Sequence, residues 1–204
     1  MPQPFWAWVG APLGVFLAVL ACDVSPRGPS QTDSSGGVVE ARPSLTGDVL
    51  YVCSDTSKER VTHRILLPSG KAYVVTRDRD DWQLGSADTI DSAAREALQV
   101  AFTKHRFLAL PPRLESAEQD GRSWDVRASS ATKAHRSYNY ENPDPDYRAV
   151  FEACSHAFAS VATRQADQSA ARATLQQVRG HLSLLSASDP RRQMLEDWLS
   201  EVQP

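Results

Sequence analysis

The chain has 204 residues, 41% of them hydrophobic and 23% charged, with a formal charge of −3 at pH 7. That size and balance suit one globular domain with attachments. Its 22 basic residues are scattered rather than run together, so the concentrated cationic face of a nucleic-acid binder is missing and no nucleic-acid partner is expected. Residues 1–21 carry no charged side chain, and Phe5 to Ala21 is apolar apart from Gly10, Pro12 and Gly14. The run has the length of a signal-peptide core and falls short of the ~20 residues of a comfortable membrane span.

The run ends on Val19-Leu20-Ala21-Cys22, which resembles the lipobox of bacterial lipoproteins. The resemblance implies that the Cys22 thiol takes diacylglycerol in a thioether, that a peptidase cuts after the small Ala21, and that the new amino group is acylated. Residues 1–21 are then a signal peptide. Two or three acyl chains, at ~0.8 kcal/mol per buried CH₂, anchor a protein where one chain binds only marginally. Residues 22–47 are rich in Pro, Ser and Gly with no apolar period, which predicts an unstructured tether. About 25 residues of flexible coil span roughly 25–30 Å. Asp23 resembles an inner-membrane retention signal of some Gram-negative bacteria, and the choice of membrane stays open.

Residues 48–165 read as an α+β domain. "DVLYVC" at 48–53 is a continuous apolar run suited to a central strand. A hairpin follows, with Val61, His63, Ile65 and Leu67 on one face, a turn at Pro68-Ser69-Gly70, and a return through Tyr73 to Val75. Residues 78–89 read as a polar loop. Asp91 then caps a helix whose stripe is Ala94, Ala97, Leu98, Ala101 and Phe102, stopped by Pro111-Pro112. A second hairpin alternates Trp124, Val126 and Ala128 against a strand with Tyr138 and Tyr140. Asp144-Pro145 opens another helix, with Tyr147, Val150, Phe151, Cys154, Phe158 and Val161 in its stripe. The expected fold is an antiparallel sheet from two hairpins covered on one face by two helices.

Residues 166–204 are helical and different in kind. Ala171, Leu175, Val178, Leu182 and Leu185 step by 4, 3, 4 and 3, a narrow seam resembling a short coiled coil. Asp189-Pro190 opens a last helix with Met194, Leu195, Trp198, Leu199 and Val202 on one side. The pair is expected as a C-terminal helical hairpin whose seam either packs back on its own domain or meets an envelope protein partner.

No chemical motif stands out. Cys154 and His156 are two residues apart, ~200° around a helix, so thiol and imidazole point apart. Asp78, Asp80 and Asp81 precede Trp82 and Gln83 where a calcium loop wants oxygen and glycine. His63, His105, His135, His156 and His181 show no ligand spacing, and no GxSxG, Walker or dinucleotide glycine pattern occurs. Catalytic, metal and cofactor residues are therefore assigned to none. With Cys22 lipidated, Cys53 and Cys154 are the only thiols left, and export to an oxidising compartment predicts a disulfide between them. The expected function is a non-catalytic binding or assembly module, lipid-anchored in the bacterial envelope on the periplasmic or outer side. The alternative is a membrane-tethered hydrolase with a site drawn from His63, His135 and the tyrosines of the second hairpin.

Overall fold

The computed structural model describes Leu45 and residues 47–116, 121–142 and 144–202. The expected signal peptide, Cys22 and the tether as far as residue 44 lie outside the described residues. Among the described residues, eight strands form one sheet in the order β5-β7-β6-β1-β2-β3-β4-β8. They are β1 (Leu50–Thr56), β2 (Arg60–Leu66), β3 (Ala72–Asp78), β4 (Asp81–Ala87), β5 (Arg113–Glu115), β6 (Ser123–Ser129), β7 (Ala134–Tyr140) and β8 (Arg164–Ala166). Four helices accompany them: α1 (Ser92–Lys104), α2 (Pro145–Ala157), α3 (Gln168–Gly180) and α4 (Pro190–Glu201). The class is α+β, and the sheet is mixed because β5 runs parallel to β7.

Each helix starts at the aspartate its sequence offers. Asp91, Asp144, Asp167 and Asp189 accept hydrogen bonds from the backbone N–H groups of Ala93, Tyr147, Ala170 and Arg191, satisfying donors that a helix N-terminus otherwise leaves free. Proline follows the cap in α2 and α4, where its missing N–H costs nothing. Between β2 and β3, Gly70 takes φ +92°, a conformation that side chains disfavour.

Alternation along β1 decides which side chains meet which layer. Tyr51 and Cys53 join Leu66, Val74, Val126 and Ala128 on the first face, under Leu98 and Phe102 of α1 and Val150 and Cys154 of α2. Leu50 and Val52 join Ile65 and Tyr73 on the second face, under Val178 of α3 and Leu195, Trp198 and Leu199 of α4. The C-terminal helices thus lie on the sheet and share a core with β1, β2 and β3. The 4-3-4-3 seam reflects that packing: Ala171, Leu175 and Val178 are buried and Leu182 packs beside them.

Three strands fall outside the expected pattern. β4 occupies most of the stretch expected as a polar loop, because Trp82 and Leu84 alternate inward against Val75 and Ala171. β5 and β8 are three-residue edge strands, short enough to discourage pairing with other chains. Ahead of β8 the chain crosses β4 at Gly85, where a Cβ would meet the Ala162 carbonyl at 2.5 Å. No helix among the described residues is long and apolar enough to cross a membrane.

A chain ending at Gln165 would leave Leu50, Val52, Ile65 and Tyr73 facing water. We expect such a truncation to lose its cooperative thermal transition, and Trp198→Ala in the full chain to cost about 3–5 kcal/mol, read from denaturant midpoints. A soluble fragment of 48–165 with a sharp transition would instead make the C-terminal helices a separate unit.

Candidate functional site

Two clusters of polar and aromatic side chains emerge from the sheet, one on each face. On the second face, the cross-strand register sets Tyr138, Asp125, Ser54 and His63 side by side. The Trp198 indole N–H donates to His63 Nδ1 at 3.3 Å, so Nδ1 carries no proton and the Ser54 hydroxyl, 2.8 Å away, also donates to it. Burial is the largest cause pushing His63 down to about 4, and the Arg127 cation adds to it. Asp125 accepts from Arg127 Nε at 2.9 Å and Arg136 Nε at 3.0 Å. Both arginines also reach Glu201, the last residue of α4. The Arg127 side chain is only 3% exposed. Such a buried cation stands because two carboxylates face it, and removing one partner would leave charge stranded.

On the first face, Cys53 and Cys154 form a disulfide across Cα atoms 6.5 Å apart, closing a separation of 101 residues. It ties the middle of β1 to α2. Beyond it, α2 and the β6–β7 ribbon enclose a cavity of about 310 Å³, lined by Trp124, Tyr147, Phe151, Asn139, Asn142, Arg122, Arg148 and Glu152. Trp124 and Phe151 form its aromatic walls, with ring centroids 5.9 Å apart. The Asn139 amide is held in place, donating to the Asn142 carbonyl and accepting from the Asn142 N–H. Tyr147 closes the far wall, its hydroxyl donating to the Ser137 carbonyl at 3.2 Å. Arg122 lies over Trp124 and forks onto Asp55, which leaves Arg148 and Glu152 as exposed charges at the rim. An aromatic slot with fixed amides and a charged rim suits a ligand with an apolar body and polar ends.

The residues singled out from the sequence do not converge. His63 lies on the second face and His135 on the first, its ring against Phe107 at 5.0 Å; burial lowers His135, and its Nε2 has no partner. Tyr138 and Tyr140 share the face of His63, and neither lies beside His135. The hydrolase site drawn from these four is therefore not assembled. Cys154 is buried and His156 exposed on α2. His105, at the end of α1, bonds Asp146 at 2.8 Å. Among the described residues, no three His, Cys, Asp or Glu side chains gather to hold a metal ion. The Asp125–Arg127–Arg136–Glu201 cluster was missed in the sequence. Its only signal there is charge at two alternate positions, 125 and 127, on a strand otherwise apolar inward.

His63 yields a pH prediction with a definite sign. Its folded pKa, about 4, lies below the ordinary 6.5, so the unfolded chain binds a proton first as pH falls. Stability contributed by neutral His63 is complete above pH 6.5 and is lost as pH drops towards 4. Denaturant melts between pH 7 and pH 4 should show this loss, and His63→Gln should flatten the profile across that window. An unchanged slope would mean that His63 titrates normally in the fold.

Comparison of the chain with family models, curated proteins and solved structures finds no match in any of the three.

Proposed function

We propose that the chain is an exported bacterial lipoprotein, held to an envelope membrane by lipid on Cys22, whose folded part is a non-catalytic binding or assembly module. The observation that carries the reading is the disulfide, since a bond of this kind belongs to an oxidising compartment. With Cys53 and Cys154 paired, Cys22 is the one cysteine left for lipid. Residues 22–47 then serve as the tether, and the domain stands on the periplasmic or outer side.

In this reading two hairpins, β2–β3 and β6–β7, frame the sheet, and α3 with α4 is a helical hairpin closing its second face. The slot lined by Trp124 and Phe151 is the ligand site. An envelope protein partner, where one is engaged, meets the outward faces of α3 and α4, because their apolar seam is spent on the sheet. Against the hydrolase alternative stands the separation of His63 from His135 and the covering of His63 by Trp198.

Intact-mass measurement on material extracted from bacterial membranes tests the reading. The expected species begins at Cys22, carries diacylglycerol and an acyl chain there, and is two hydrogens lighter for the Cys53–Cys154 bond. Cys22→Ser should leave residues 1–21 uncut. Membrane-extracted protein with an unmodified Cys22 would overturn it.

A further inference from the structure

We infer that the end of the domain where the tether joins is a membrane-contact surface, with Leu184 as its apolar insert and Lys71 and Lys133 as its headgroup contacts. The inference rests on lipid anchoring through Cys22 and adds an orientation to it. The observations behind it are positional. The Asp48 carbonyl accepts from Arg191 Nη1 at 2.9 Å, which brings the start of α4 to the place where the chain enters the sheet. The register puts two hairpin turns at the same end: Tyr51 pairs with Leu66 and Leu66 with Ala72, while Leu50 pairs with Ser129 and Ser129 with Ala134.

The residues at this end are unlike those at the other. Between α3 and α4, the segment Leu182–Ser188 holds no charged residue, and Leu184 in it is 75% exposed. Leu182 packs against the second core and so fixes the tip that presents Leu184. In each of the turns 68–71 and 130–133 the single charged residue is a lysine. At the opposite end, the turns 57–60 and 78–81 mix both signs, Glu59, Asp78, Asp80 and Asp81 beside Lys58, Arg60 and Arg79. Of the acids near the tether, Asp189 is paired with Arg191 and Asp91 caps α1, while Asp88 lies 3.7 Å from Lys71 Nζ and shares that lysine with any headgroup.

An anionic leaflet attracts lysines held within a Debye length of it. One leucine and two lysines bind a bilayer weakly when free in solution. Once lipid holds the chain, the encounter is intramolecular and the effective concentration of surface is high. The exposed leucine then leaves water for the headgroup boundary.

The test uses the full lipidated chain in vesicles of phosphatidylethanolamine with phosphatidylglycerol, with and without brominated acyl chains. Tryptophan is introduced as Leu184→Trp or, at the other end, as Asp80→Trp; both positions are exposed, so neither substitution disturbs the core. Bromine should quench about half or more of the fluorescence added at 184 and little of that added at 80. Lys71→Glu combined with Lys133→Glu should reduce the quenching at 184. Equal quenching at the two positions, in protein that floats with the vesicles, would overturn the contact surface and leave the anchor standing. Failure to float would overturn the anchor and the contact together, and quenching unmoved by the lysine changes would remove the lysines from the contact.

Discussion

The disulfide between Cys53 and Cys154 joins the middle of β1 to α2, and β1 is a strand whose side chains are buried on both faces from Leu50 to Cys53. A strand apolar on both sides is stable only when both faces are covered. The covalent link settles one cover. For a closed loop of about 100 residues, chain-entropy models give up to ~4.7 kcal/mol, comparable with the ~5–15 kcal/mol net stability of a whole domain. The second cover has no such link. It depends on Trp198, Leu195 and Leu199 meeting Leu50, Val52 and Ile65, and on the salt bridges at the end of α4.

Those salt bridges have a particular consequence for function. Arg127, Asp125, Arg136 and Glu201 satisfy one another, and His63 is occupied by Ser54 and Trp198. Buried ionic clusters add little net stability, because desolvation offsets attraction; here the cluster fixes where α4 ends on the sheet. The reactive side chains of the second face are thereby committed to structure. The aromatic slot beside α2 on the first face and the uncharged tip between α3 and α4 are among the features the fold leaves open. Both would serve the binding role proposed for the domain.

Local signals carried much of this fold. Three aspartate caps, Asp91, Asp144 and Asp189, mark helix starts, the cap at Asp167 emerging only with the structure, and the period-2 stretches at 61–67 and 124–128 mark strands with an inward face. The pairing of Cys53 with Cys154 follows from their places in a central strand and in a covering helix. β4 was hidden because only Trp82 and Leu84 are apolar within a polar stretch, and its burial comes from contacts with Val75 and the distant Ala171. The short edge strands β5 and β8 have no period to read. The C-terminal seam was visible as a seam, but its partner was not: the sheet's second face offers Leu50, Val52, Ile65 and Tyr73, and β1 reads as one unbroken apolar run. The slot lined by Trp124 and Phe151 depends on how α2 crosses the β6–β7 ribbon, a tertiary geometry that spacing along the chain does not encode.

β1 holds two covers in one cooperative unit, a coupling that native-state hydrogen exchange reads residue by residue. Amides of β1, α2 and α4 are expected to exchange with a common free energy, equal to that of global unfolding and falling together with added denaturant. Exchange of α4 at a much lower free energy, with β1 and α2 still protected, would contradict it.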